Sequence, residues 1–221
     1  MKKYSALVFV FLCLILTFVT AFAKKKDAVG DWLKKGDEYM DMDKYEEAIK
    51  SYDEAIKLNP KSLLAWYNKG VAFGLLENYE EEIKCCDQAI AIDPNDYASY
   101  NNKGDVLFKL GEYEDALENF NKAISIKEDF ALGWYNKGVT LRELGKSEEA
   151  LQSYNKALEC YDKMLRKNKD DAEAWAGKGD TLKELDKMPE ATACYEKAYE
   201  LAKKQKKNKL LIEKLKLILN K

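Results

Sequence analysis

The sequence predicts an all-α protein: a right-handed α-solenoid of five helix-turn-helix units with a C-terminal capping helix. Three observations predict it. Glycines recur at a constant step, Gly36, Gly70, Gly104 and Gly138 lying 34 residues apart, the period of a helix-turn-helix repeat. A common setting surrounds them: Trp66-Tyr67-Asn68-Lys69-Gly70, Tyr100-Asn101-Asn102-Lys103-Gly104 and Trp134-Tyr135-Asn136-Lys137-Gly138, with Trp32 to Gly36 ahead of these. Helix breakers are sparse, 3 prolines and 11 glycines in 221 residues, while 47% of residues are hydrophobic and 34% charged, a composition suited to folded helices. One unit alone cannot bury its apolar side, so the units must stack.

The first segment stands outside that repeat. Lys2 and Lys3 precede an uncharged apolar run, Tyr4 to Ala23, that closes on the small-x-small pattern Ala21-Phe22-Ala23. The run resembles a secretory signal peptide, with the lysines holding its N-terminus on the cytoplasmic side. Roughly 20 apolar residues also suffice to span a bilayer, and Lys24 to Lys26 are unfavourable just after a cleavage point, so an uncleaved signal-anchor is the other reading. Both put the repeats outside the cytoplasm. Cys13 follows the large Leu12, which does not suit a lipobox. Residues 1–23 are thus read as signal peptide or signal-anchor, and 24–28 as a linker.

The repeats follow at 29–62, 63–96, 97–130, 131–171 and 172–205. The first unit supplies Trp32, Gly36, Tyr39, Ala48, Tyr52, Ala55 and Pro60; the second Trp66, Gly70, Phe73, Ala89 and Pro94, with Glu82 and Cys86 where a small residue and an aromatic are expected. The third has Tyr100, Gly104, Leu107, Ala116, Phe120 and Ala123, with Glu128 in place of proline; the fourth Trp134, Gly138, Leu141, Ala150, Tyr154 and Ala157. Small residues let the two helices of a unit approach closely while Trp and Tyr fill the gaps. Turns at Leu110 to Tyr113 and Leu144 to Lys146 place glycine at the left-handed position that ends a first helix, and Glu77-Asn78 stands in that role in unit two.

Position by position, these residues resemble the tetratricopeptide repeat family, in which an aromatic is followed four residues later by Gly and then by Ala, an aromatic, Ala and Pro at fixed offsets. A fifth unit, with Trp175, Gly179, Leu182, Ala191, Tyr195 and Ala198, arrives 41 rather than 34 residues after Gly138. Seven extra residues are close to two helical turns, so they fit a lengthened second helix in unit four through Cys160, Tyr161, Met164 and Leu165; a polar loop at Arg166 to Asp171 is the alternative. Pro189 falls near the start of the last second helix, where proline is tolerated.

Residues 206–221 read as the capping helix, with Leu211, Ile212, Leu215, Ile218 and Leu219 on one face. A basic amphipathic helix docking on an acidic membrane or partner is the rival reading.

Charge is uneven. Lys203 to the end holds 8 lysines and one acid, whereas Lys24 to Ala202 holds 27 basic and 38 acidic residues. An acidic body with a basic tail favours basic partners and argues against nucleic acid. The chain has no histidine, which removes imidazole bases, Ser-His and Cys-His pairs and histidine metal ligands. No convergent acid, base, nucleophile or metal set stands out, so no catalysis, cofactor or metal is expected. Cys85, Cys86, Cys160 and Cys194 read as buried thiols, with a Cys160 to Cys194 bridge as the alternative; without a Cys-x-x-Cys pair, zinc or thioredoxin chemistry is not indicated.

The resemblance implies that first helices line a concave, peptide-holding groove. Helical spacing then gives the groove triplets Leu33, Asp37 and Met40; Tyr67, Val71 and Gly74; Asn101, Asp105 and Phe108; Tyr135, Val139 and Arg142; Ala176, Asp180 and Lys183. Asp and Val alternate at the middle position. Leu33, Asp37, Tyr67, Val71, Asn101, Asp105, Tyr135, Val139, Arg142 and Asp180 are the candidate groove residues, against the simpler reading that they only pack or face solvent. Tyrosines interspersed with acids suit a segment carrying apolar anchors and Lys or Arg. The lysine and asparagine clamp with which one version of the family holds a C-terminal carboxylate is absent, since Leu33 and Asp37 stand where it needs Lys and Asn. Lys35, Lys69, Lys103, Lys137 and Lys178 read as a solvated or interfacial row. The expected function is a non-catalytic protein- or peptide-binding adaptor outside the cytoplasm, with membrane contact only through an uncleaved N-terminal segment. A self-associating or membrane-anchored scaffold is the alternative.

Overall fold

A computed structural model describes residues 27–205 and 209–220; the leader at 1–23 lies outside the described residues. These residues are helical and turn segments without strands. No described helix is long and apolar enough to cross a membrane. The chain divides into two compact bodies at Pro94 and Asn95. The first holds α1 (27–41), α2 (Tyr45–Leu58), α3 (Leu63–Leu75) and α4 (Tyr79–Ile92). The second holds α5 (Tyr97–Lys109), α6 (Tyr113–Ile126), α7 (Ala131–Glu143), α8 (Ser147–Lys167), α9 (Ala172–Glu184), α10 (Met188–Gln205) and α11 (Lys209–Leu219).

Each body is a run of antiparallel hairpins in which a helix packs mainly on its neighbours in sequence, and α5 also touches α7. Helix starts are fixed by side chains that accept orphan backbone amides: Ser62 from Ala65, Asn78 from Glu81, Asp96 from Ser99 and Asp171 from Ala174. First helices end on one residue in the left-handed region. Gly111 (φ 82°) and Gly145 (φ 74°) hold it in two turns, but Asp43, Glu77 and Asp186 hold it at φ 56–57° in the others, where a side chain is strained.

The hairpins close on the repeated glycines. A Cβ on Gly36 would lie 2.3 Å from the Tyr52 ring, on Gly138 2.5 Å from Tyr154, and on Gly104 and Gly179 2.7 Å from Phe120 and Tyr195. Only hydrogen fits beneath those rings. The aromatics so seated are almost fully buried, each contributing roughly 2–3 kcal/mol by area removed from water. In unit two, where Cys86 replaces the aromatic, the near neighbour of Gly70 is Cys85 Cβ at 3.1 Å instead.

Tryptophans fasten α3, α7 and α9 to the turn before each. The indoles of Trp66, Trp134 and Trp175 donate to the carbonyls of Pro60, Glu128 and Lys169 at 2.9–3.0 Å. Because the acceptor is backbone, Glu128 serves as well as proline. Helix α8 has 21 residues where α2, α4 and α6 have 14, and its added turns bury Cys160, Tyr161 and Leu165 against Ala131 and Ala174. Two extra turns keep the apolar stripe in phase.

Candidate functional site

In the first body, the groove-register residues fall on α1 and α3. Leu33 packs onto the cluster of Ala48, Tyr52 and Ala72, so it forms part of the floor. Asp37 is exposed but oriented: Tyr52 Oη donates to its Oδ1 at 2.8 Å and Asn68 Nδ2 donates to the same oxygen at 2.9 Å. Among the described residues nothing bonds Oδ2, which leaves a pre-positioned acceptor facing solvent. Burial, and then the bond to Asp37, push the Tyr52 hydroxyl well above its ordinary pKa. Tyr67 and Val71 are half-buried, and the Tyr67 hydroxyl has no partner among the described residues. Gly74 opens the next turn for Glu82, whose carboxylate oxygens would lie 2.6 and 2.7 Å from a Cβ there; this buried side chain thus brings a further acid to the Gly74 register.

The second body gathers the other six candidates with different results. Asn101 is buried and its Oδ1 accepts from Asn136 Nδ2 at 3.0 Å. This amide is spent on joining α5 to α7 rather than held open. Asp105 is half-buried and pairs with Lys109 of its own helix at 2.7 Å, an arrangement of small energetic weight. Tyr135 and Val139 lie on the cluster of Leu141, Ala150 and Tyr154, with the Tyr135 and Tyr154 rings 6.2 Å apart. Burial, then the charge of Asp180, push Tyr135 up to about 12. Arg142 is held by Glu184 of α9 and, at 3.2 Å, by Glu143. Asp180 is filled on both oxygens, Oδ1 by Tyr195 Oη at 2.9 Å and Oδ2 by Lys214 Nζ at 2.9 Å.

A carboxylate with both oxygens satisfied and one with an open oxygen are different chemical objects. Asp37 can accept a cationic side chain on Oδ2 without breaking an internal bond, whereas Asp105 is already paired with Lys109 and Asp180 must first release Lys214. The sequence reading missed Tyr52, Tyr195, Asn68 and Lys214 as partners of these acids. A signal was present: an acid and a tyrosine 15 residues apart recur at Asp37/Tyr52 and Asp180/Tyr195 and nowhere else in that register.

The lysine row is interfacial. Lys35, Lys69, Lys137 and Lys178 lie over the rings of Trp32, Trp66, Trp134 and Trp175 at 4.7–5.6 Å. Lys69 also pairs with Asp53 at 2.7 Å and Lys178 with Asp162 at 2.6 Å. The four cysteines outside the leader are buried thiols outside any disulfide, so no Cys160 to Cys194 bridge forms. Burial raises the Cys85, Cys160 and Cys194 thiols, Cys85 to about 12, which makes them poor nucleophiles. No group of three or more acids and cysteines able to hold a metal occurs among the described residues. An open depression of ≈780 Å³ is lined by residues such as Trp134, Lys156 and Cys160, and no groove candidate lines it.

Comparison with known families and structures places this architecture. The model described as "TPR repeat" matches residues 36–77 and 104–145, and three described as "Tetratricopeptide repeat" match 64–96, 85–118 and 129–204. Together they run from the first repeated glycine into α10. No curated protein sequence matches the chain. Among solved structures, TTC0263, a thermophilic TPR protein of Thermus thermophilus, is 20% identical with a TM-score of 0.67, covering 88% of this chain and all of that one. PilF of Pseudomonas aeruginosa is 19% identical with a TM-score of 0.57, covering 89% and 92%. YrrB, described as a TPR protein with an unusual peptide-binding site, is 20% identical with a TM-score of 0.53, covering 90% and 97%. At these identities the likeness is one of fold.

Proposed function

The chain belongs to the tetratricopeptide repeat family, and from that premise we propose that it is a non-catalytic adaptor binding a basic, apolar segment of a partner protein, outside the cytoplasm. The observation that carries the reading is the Asp37 carboxylate, fixed through Oδ1 by Tyr52 and Asn68 with Oδ2 open. Such an acceptor costs a ligand no reorganisation, and a lysine or arginine reaching it forms a charge-assisted hydrogen bond. Leu33, Tyr67 and Val71 supply apolar surface beside it, and the Tyr67 ring adds a polar tip. Charge supports the polarity of the ligand, since residues 27–94 carry 8 basic and 16 acidic side chains. A peptide-binding site is named for YrrB, which shows that this fold accommodates one.

Location outside the cytoplasm rests on Lys2, Lys3 and the apolar run to Ala23. N-terminal sequencing of the mature protein tests it; a start at Lys24 supports export with cleavage, and a cytosolic full-length product contradicts export. The adaptor reading is tested by capture from cell-envelope extract on the immobilised chain, in parallel with Asp37→Asn. A partner retained by the parent and at least tenfold depleted on the variant supports it, and equal capture on both refutes the role of Asp37.

A further inference from the structure

Helix α11 is in register with the first helices of the repeats. Counting 34 residues on from α9 aligns Leu215 with Thr181, and Ala72, Val106, Thr140, Thr181 and Leu215, all at that register, are each 0% exposed. The same count aligns Lys214 with Asp180, and these two are joined at 2.9 Å. Glu213 falls on the register of Gly179, over which a second helix would have to lie. It is exposed instead and pairs with Lys216 at 2.9 Å. So α11 stands in the register of a first helix, packed through Leu215 and polar at Glu213.

Its remaining face is neither. Leu210, Lys214 and Leu217 continue the groove triplets, aligned with Ala176, Asp180 and Lys183. Leu210 is 75% and Leu217 80% exposed, more than any other large hydrophobic described. Leucines so exposed add nothing to the packing of α11 on α10, and together they form an apolar patch. The segment itself is basic in sequence: the chain from Lys203 onward has 8 lysines and one acid.

We propose that Leu210 and Leu217, with Lys183 and Lys209, form a docking surface for an acidic amphipathic segment of a partner protein. Its apolar side chains rest on the two leucines and its carboxylates meet the lysines. Because Lys214 already neutralises Asp180, the one groove acid at this end does not repel such a segment. The surface is chemically opposite to the basic-segment site at Asp37 and stands independently of it.

Fluorescence titration of the full chain tests this with two labelled helical peptides, one of Leu and Glu and one of Leu and Lys, and with phosphatidylcholine vesicles containing phosphatidylserine. The Leu/Glu peptide is expected to bind saturably, and Leu210→Gln with Leu217→Gln to weaken it about tenfold or more. Lys183→Glu with Lys209→Glu weakens it similarly, whereas Asp37→Asn leaves it unchanged. The leucine and lysine variants keep the parent unfolding midpoint, because the altered side chains are exposed. The proposal is overturned if the Leu/Glu peptide does not bind, if the leucine variants bind it as the parent does, or if those variants lose vesicle binding or self-association instead. Failure of the Asp37 reading shows separately, as Leu/Lys binding insensitive to Asp37→Asn.

Discussion

Tyr52 and Tyr154 occupy the same register of their second helices, yet their hydroxyls meet different fates. Tyr52 donates to Asp37; at the matching position Tyr154 faces the Val139 register, and its buried hydroxyl has no partner among the described residues. A satisfied buried hydrogen bond is worth about 1 kcal/mol net, whereas an unmet buried hydroxyl costs free energy that its removal recovers. Urea denaturation is therefore expected to show Tyr52→Phe losing about 1 kcal/mol and Tyr154→Phe losing nothing or gaining. Equal losses in both would contradict the pairing described here. This contrast was half legible in the sequence. The alternation of Asp and Val was visible along the first helices, but its meaning required the second-helix residue 15 positions on, which periodicity alone does not select. Asn101 shows the same gap: spacing put it on the groove side, and only the Asn136 amide opposite it reveals that it is consumed in packing.

At the scale of the element, turn chemistry separates the hairpins. Asp43, Glu77 and Asp186 sit at φ 56–57° where Gly111 and Gly145 sit in the equivalent turns. A left-handed side-chain residue costs about 1–2 kcal/mol relative to glycine, partly offset because glycine loses more entropy on folding. Thermal unfolding of Glu77→Gly and Asp186→Gly is expected to show gains of up to about 1 kcal/mol each, and Gly111→Ala a loss of similar size; a loss in the glycine variants would mean that the side chains themselves hold the turns. The hairpins were readable because 34-residue spacing, small residues and aromatics all agree. Helix α11 was readable as an amphipathic capping helix. Its place in the first-helix register rests on a tertiary fact, the burial of Leu215 and the reach of Lys214 to Asp180, and the sequence offered no aromatic or glycine there to mark the repeat.

For the whole molecule, the buried phenols set its response to alkali. Burial raises Tyr52, Tyr135, Tyr154, Tyr161 and Tyr195 above their ordinary pKa, in each case as the leading cause. The folded state therefore holds protons that the unfolded chain has lost once pH passes the unfolded tyrosine value of about 10. Stability is constant with respect to these groups below that pH and falls as pH rises above it; a denaturation midpoint unchanged from about pH 8 to 11 would contradict the burial of the rings. The proposed function rests on how charge is distributed over this frame. The acidic residues 27–94 carry an open, oriented carboxylate at Asp37, and the basic C-terminal helix carries two exposed leucines. The most direct measurement is amide chemical-shift mapping of the labelled full chain titrated with the Leu/Lys peptide. Saturable shifts clustered on α1 and α3 around Leu33, Asp37, Tyr67 and Val71, and abolished by Asp37→Asn, are the expected result; shifts confined to α2 and α4, or unaffected by that substitution, would contradict the account.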